Sequence, residues 1–423
     1  MNKRDFGYIL DISYPIYLQK EIQPIWLSYS TTFLGFESID TTKNFTYCEL
    51  GCANGLNLII CAINNPKGYF IGVDFNEKHI NKAKQILNLI GIKNIEFIQS
   101  DFKSFSQKQN LSFDFIVCHG TWSWISPIHQ RSILEIVSKF LKERGIFYLH
   151  YMCHPGSTSL NPIQKLLNTI DHLLAGTSKE NIAEGIKLFN QLKDTGTFTD
   201  YPNLDSIDKL FNQGNLDYLS HEFLTDFWNP QYSIDIHQVV AQTKALYIGS
   251  ANLFDNLENI SIPLNTQEVL KNISSPILKE YTKDLARNQK QRVDIFQKNP
   301  QVLSNEKQLK ALNSMIFKLI DKNVLNNQKI KFLTSIGEIE APDDITRAIL
   351  KELIKKNSSF EELSKLEIFS NQTYLLFESI QMLMCNNIIY PILKNYDFID
   401  KKHLIKLKNH FSIIFQNYNF INC

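Results

Sequence analysis

The chain has no surplus of charge. Its 423 residues carry 44 Lys and Arg against 43 Asp and Glu, a net charge of +1, with both signs interspersed. A protein that tracks a phosphate backbone needs a basic patch, so nucleic acid is not an expected partner. Long apolar runs are also missing. No stretch approaches the roughly 20 residues a helix needs to cross a bilayer. Met1 to Leu10 contains no apolar signal core, so membrane insertion is not expected and the chain reads as cytoplasmic. The seven cysteines are odd in number and follow no framework spacing, which argues against a disulfide scaffold. In a reducing compartment most such residues are small buried hydrophobes. The dinucleotide fingerprint Gly-x-Gly-x-x-Gly is absent from the one turn where it would matter, and so is a P-loop lysine. The hydrophobic fraction, 43%, is enough for sizeable cores in two or three domains.

What is present is Tyr47 to Gly55, reading Tyr-Cys-Glu-Leu-Gly-Cys-Ala-Asn-Gly. An apolar run, Phe45 to Leu50, meets a turn with glycines at 51 and 55, and a helical run, Leu56 to Ile63, follows. Glycine lets backbone approach a ligand closely, and helix-start N–H groups point at it. A second strand, Tyr69 to Val73, ends in Asp74, about twenty residues past the turn, where a ribose-binding acid belongs in a doubly wound sheet. A third, Ile95 to Gln99, ends in Ser100-Asp101-Phe102. The turn reads Glu49-x-Gly51-x-Ala53-x-Gly55. It resembles the acidic-Gly-x-Gly-x-Gly motif of class I S-adenosylmethionine methyltransferases, with Ala53 at the middle glycine. That resemblance implies S-adenosyl-L-methionine as cofactor and S-adenosyl-L-homocysteine as product. It places Glu49, Gly51, Asn54 and Gly55 about the methionine moiety. It gives Asp74 both ribose hydroxyls, with Phe75 beside it, and sets Asp101 and Phe102 against the adenine. His119 and Gly120 complete the expected cofactor set.

The surrounding pattern is α/β. Residues 1–45 form an aromatic, proline-rich flap, read as short helices over the cofactor edge, with a spacing through Tyr17, Ile22 and Trp26. Residues 46–155 form the core. There Asn76 caps a helix to Ile90, a polar loop covers Lys103 to Ser112, and a strand covers Phe113 to Cys118. Ser126-Pro127 starts a helix running to about Glu143, and Gly145 closes it before a strand at Ile146 to Tyr151. Residues 156–230 read as a helical insertion (161–175, 178–194, 205–226), a natural place for a dimer contact. Residues 231–255 hold a late strand near Ala245, and 256–329 a helical middle domain. Residues 330–423 give helices Asp343–Lys355, Ser359–Leu366 and Asn371–Asn386, then a strand Ile388–Ile392. That order is winged-helix-like without a basic recognition face. The fold class expected is a Rossmann-like doubly wound class I methyltransferase sheet with a helical insertion and mainly helical middle and C-terminal domains.

The loop after the fourth strand reads Cys118-His119-Gly120-Thr121-Trp122-Ser123-Trp124. It lies where a ligand would sit, beyond the carboxyl ends of the strands. His119 is a candidate to hold the cofactor's amino group or relay a proton. Trp122 and Trp124, with the N-terminal tyrosines and Tyr14 above all, are candidates to wall a channel for an aliphatic stem ending in an amine. The Asn/Asp-Pro-Pro-Tyr tetrapeptide of DNA and protein-amide methyltransferases is not here. His150, Cys153 and His154 follow no standard metal spacing, so no metal is expected.

With these residues in hand, the chain resembles the rickettsial protein lysine methyltransferases that modify outer membrane protein B. The likeness extends through Asp217-Tyr-Leu-Ser-His221-Glu222-Phe, Trp228-Asn-Pro230 and Ile248-Gly249-Ser250-Ala251, similar to the regulatory domain found beside such cores. It implies transfer of methyl groups to lysine side chains of a protein substrate like outer membrane protein B, and a homodimer. Two alternatives stay open. One is a small-molecule methyltransferase; the other is a non-catalytic module that binds cofactor and partners.

Overall fold

Seven strands form the central sheet of the computed structural model. In chain order they are β1 (Phe45–Leu50), β2 (Gly68–Asp74), β3 (Ile95–Gln99), β4 (Phe113–Cys118), β5 (Leu141–Met152), β6 (Ala245–Ser250) and β7 (Gln291–Lys298). The structure describes residues 3–326, 329–334, 336–370, 372–394 and 402–411. The spatial order is β3-β2-β1-β4-β5-β7-β6. Strands β1 to β5 are parallel, and β7 runs antiparallel between β5 and β6. The order reverses between β1 and β4, which opens a crevice at their carboxyl ends.

The parallel strands are covered on both faces, which is why they read as near-continuous apolar runs. One face packs under helices Leu56–Asn64 and Glu77–Ile90 through Ile59, Ile63, Ile80 and Ile86. The other packs under Pro127–Phe140 and Ser233–Ala241 through Ile133, Val137, Ile236 and Val240. The insertion carries its own core of Ile163, Leu167, Phe189, Phe211 and Phe223. Among the described residues no helix is long and apolar enough to cross a membrane.

Several expectations are corrected. The N-terminal stretch is not a set of short helices. A hairpin of two-residue strands, Arg4–Asp5 and Tyr8–Ile9, leads into a largely extended segment, and one helix, Pro24–Phe33, follows. Pro24 opens that helix instead of breaking it, because the first helical N–H needs no partner. Residues 102–106 are a short helix, not loop, with Asp101 as N-cap accepting from the Ser104 N–H at 2.9 Å. The helix after Ser126 ends at Phe140, and Gly145 lies inside β5. The span 205–226 is two helices, Leu204–Gln213 and Leu216–Phe223, divided at Gly214 and restarted by the Asn215 cap. The stretch 266–328 holds the expected helices, Leu264–Lys271, Pro276–Arg287 and Asn305–Asn313, but also β7 and a further strand, Ile316–Leu319, that were not expected.

Ile316–Leu319 is the middle strand of a small sheet with Ser358–Ser359 and Ile389–Ile392. Helices Asp343–Lys355, Phe360–Ser364 and Thr373–Cys385 complete this unit, and the expected Asn371 start lies outside the described residues. Helix Pro24–Phe33 joins it to the main sheet. The Trp26 indole N–H donates to the Ala251 carbonyl (2.8 Å), and the ring packs on Tyr390. Lys20 caps the end of Thr373–Cys385, donating to the Met384 and Cys385 carbonyls and to Asn387.

Candidate active site

The crevice opens into a cavity of about 730 Å³. Its floor is the glycine turn after β1. Gly51 has φ +79°, and a Cβ there would meet the Thr121 hydroxyl at 2.2 Å, so only glycine lets the turn and the loop after β4 touch. Ala53 also has positive φ, +47°, in the place of the family's middle glycine. Its N–H donates to Asp74 Oδ2 at 2.9 Å, while Asp74 Oδ1 accepts from the Asn76 N–H at 2.9 Å. The Asp74 carboxylate is thereby aimed along the crevice with both oxygens ordered.

Glu49 stands at the end of β1, buried. Burial, and then the nearby Asp74 charge, push its carboxyl up to about 8. Its Oε2 is enclosed without a hydrogen-bond partner among the described residues. Such an atom is costly unless a cation or donor meets it. Asp101 is also on the wall. Burial would raise its pKa, but the Ser104 hydroxyl and N–H outweigh this and hold it below the usual range.

The loop after β4 stacks its rings. His119 lies over His150 with centroids 4.5 Å apart, and Trp124 lies over His150 at 6.2 Å. His119 Nδ1 meets the Tyr148 hydroxyl at 2.8 Å, and His150 Nδ1 accepts from the Gly120 N–H at 3.0 Å. Burial, reinforced by His150, holds His119 well below its ordinary pKa; burial holds His150 at about 4. Both imidazoles are therefore neutral at pH 7. Tyr148 is kept protonated by burial, so its hydroxyl can either donate to His119 Nδ1 or accept from it.

The residues expected at the site divide. Glu49, Gly51, Asn54, Asp74, Phe75, Asp101 and Phe102 line the cavity, as do His119, Gly120, Trp124 and Tyr14. Trp122 does not. The 3₁₀ turn Trp122–Trp124 points it into the core, 1% exposed, with its indole N–H on Gln231. Gly55 does not either. It is the left-handed N-cap of Leu56–Asn64, where a Cβ would meet the Phe97 ring at 2.4 Å. Cys118 is buried with its thiol pushed up to about 12, a strand-end residue and no nucleophile. His150, Cys153 and His154 do not converge, since His154 bonds Thr158 and the Cys153 thiol faces Asp284.

Sequence reasoning missed His150, Glu21, Tyr218, Glu222 and Asp255, all of which line the same cavity. The six carboxyls there are Glu21, Glu49, Asp74, Asp101, Glu222 and Asp255, and among the described residues no Lys or Arg lines it. Arg287 pairs with Asp255 at 3.0 Å and Lys20 stands 4.0 Å from Glu21, both from behind the wall.

Residues 41–222 match the family described as "Methyltransferase domain", and residues 215–298 match "Predicted methyltransferase regulatory domain". Residues 41–222 therefore form an S-adenosylmethionine-dependent methyltransferase domain. The methyltransferase is 28% identical over 361 residues to an uncharacterized protein of Synechocystis sp., covering 85% of this chain and 71% of that one. It is 25% identical over 419 residues to an uncharacterized protein of Rickettsia prowazekii, covering 94% and 74%. Its fold is shared with PKMT2 from Rickettsia typhi, solved in complex with AdoHcy, at TM-score 0.68 and 20% identity over 90% of this chain and 77% of that one. A carboxy-S-adenosyl-L-methionine synthase of Nautilia profundicola is 30% identical over 130 residues, 30% of this chain and 54% of that one.

The site suits its cofactor, S-adenosylmethionine. The unpartnered Glu49 oxygen could meet an ammonium, and the ordered Asp74 carboxylate could accept from vicinal hydroxyls. The cofactor supplies a methyl on a cationic sulfur. What this chain supplies around that methyl is an acid-lined cavity with aromatic walls, in which an acceptor could be oriented.

Proposed function

We propose that the methyltransferase transfers methyl groups to lysine side chains of a protein substrate. The observation that carries this is the cavity lining of six carboxyls and several aromatic rings without Lys or Arg. An alkylammonium gains from such a wall through charge and ring faces. A carboxylate or phosphate acceptor would find no cation. The same lining disfavours a carboxyl donor, itself an anion, as a partner for this cofactor. The resemblance to rickettsial lysine methyltransferases makes outer membrane protein B the substrate to try first. It also supports a homodimer.

The decisive experiment is mass spectrometry of outer membrane protein B fragments after incubation with the full chain and methyl-labelled cofactor. Label on lysine is the expected result. Label only on small amines, or none on either, would exclude the protein-lysine reading. The exposed Leu173, Leu174 and Leu188 of the insertion are the surface proposed for self-association. Light scattering that finds a monomer at micromolar concentration would exclude the dimer.

A further inference from the structure

One wall of the cavity is built by a helix and the N-terminal strap together. Tyr218 and Glu222 lie four residues apart on Leu216–Phe223, one turn above each other, with the Tyr218 hydroxyl close enough to the Glu222 carboxylate to hold its pKa down. Tyr17 from the strap meets Tyr218 edge-on at 5.6 Å. Tyr14 meets Tyr17 at 6.5 Å, also edge-on, and packs on the His221 ring at 5.1 Å. The Trp124 indole N–H donates to the Glu222 carbonyl at 3.3 Å, which ties this wall to the loop bearing His119. Tyr17 is 40% exposed, so the wall reaches solvent.

The geometry points to Glu222, framed by Tyr14, Tyr17 and Tyr218, as the receptor for the substrate's alkylammonium and the group that takes its proton before methyl transfer. This rests on the lysine reading above. Three tyrosines and a carboxylate on one cavity wall suit an alkylammonium: the carboxylate supplies a charge-assisted hydrogen bond and the rings frame the aliphatic stem. Burial raises the Glu222 carboxyl and the Tyr218 hydrogen bond partly lowers it again, leaving it at about 7. A base poised there is matched to neutral pH. The step balances. The ammonium gives one proton to the Glu222 carboxylate, and the freed nitrogen lone pair forms the N–C bond. The S–C bond breaks with its electron pair on sulfur, so the positive charge passes from sulfur to nitrogen. Glu222 then returns its proton to water along the open Tyr17 side.

The other groups facing Glu222 do not titrate near 7. Tyr218 on its own helix, and Tyr14 and Tyr8 on the strap, are raised by burial and stay protonated. His221, on the same helix, is held at about 4 by burial and stays neutral. Trp124 carries no charge. Glu49 titrates about 8 but stands at the glycine turn beside Asp74.

The test is calorimetric binding of n-butylammonium to the full chain saturated with S-adenosylhomocysteine, with n-pentanol as the neutral comparison. Saturation occupies the glycine turn, so Glu49 does not contribute. The wild type should bind the cation at least about tenfold more tightly than the alcohol, with affinity rising between pH 6 and 8. Glu222→Gln should lose at least about tenfold and the pH dependence, with S-adenosylhomocysteine affinity within about twofold of wild type. Tyr218→Phe removes the hydrogen bond that lowers Glu222, so its pH midpoint should move up. Overturning results are equal cation binding in Glu222→Gln, or an unmoved midpoint in Tyr218→Phe. Lysine methylation by Glu222→Gln with the wild-type pH profile would sink the receptor and leave the lysine reading standing. Glu222-dependent cation binding without any methylated protein would keep the receptor and retire the lysine reading.

Discussion

At the scale of single residues, one carboxylate and one imidazole give the site its sharpest tests. Asp74 holds its oxygens in place with two backbone N–H groups and so presents them preorganised. Hydrogen bonds to a charged group are worth about 1.5–3 kcal/mol each. Asp74→Asn is therefore expected to weaken S-adenosylhomocysteine binding at least about tenfold by calorimetry. Unchanged affinity would show that Asp74 does not touch the ribose. His119 is neutral across the working range because burial and His150 keep protons off it. His119→Ala should lower turnover, through loss of positioning, while leaving the rise of rate with pH in place. Disappearance of that rise would make His119 the titrating base. His119 was legible from the sequence because it follows a strand of the doubly wound sheet. The fate of its neighbours was not: Trp122 and Trp124 are two apart in a 3₁₀ turn, and only tertiary packing decides which ring turns inward.

Elements tell a similar story. Strands β1, β2 and β4 were readable because parallel strands buried on both sides are largely apolar, and the edge strand β3 because its buried Ile95 and Phe97 alternate with Glu96. Strand β7 was hidden because it carries Arg292, Asp294 and Gln297 into the interior. There Arg292 bonds Asp284 and Asp294, and Asp294 also meets Tyr151 and His237. A polar network inside a strand erases the hydrophobic pattern by which strands are recognised. Glu222 was out of reach for another reason. It is distant in sequence from the glycine turn, and only the docking of helix Leu216–Phe223 brings it to the cavity. The strap is latched at its start. Lys3 pairs with Asp171 at 2.5 Å, and Arg4 pairs with Asp171 and Asp226 and donates to the Leu224 carbonyl. Beyond the latch, Phe6 packs edge-on against Phe75 and His129 on the cavity wall. Arg4→Ala should speed S-adenosylhomocysteine release in stopped-flow experiments and raise hydrogen exchange over residues 3–17. Equal release rates would show that the strap does not cover the cofactor.

For the whole molecule, the buried titratable groups give the ligand-free protein a pH-dependent stability. His150 and His221 have folded values near 4, below their unfolded value, so their contribution is lost as pH falls from about 6.5 toward 4. Glu49 and Glu222 have folded values near 8 and 7, above theirs. Their contribution is present in acid and lost as pH rises through those values. The melting temperature of the free protein should therefore peak between about pH 5 and 6.5 and fall toward 8. Glu49→Gln should shrink the fall between pH 6.5 and 8. An undiminished fall in that variant would mean that Glu49 is not the group responsible. The acid-lined cavity has one more consequence. Methyl transfer creates no new charge in it; one unit of positive charge moves from the cofactor's sulfur to the acceptor's nitrogen. The carboxyls near the glycine turn thus lose part of what they were holding at the moment of reaction, while those at the acceptor end keep theirs. By charge alone, fresh cofactor, still cationic, gains more from the field of the cavity than spent cofactor does.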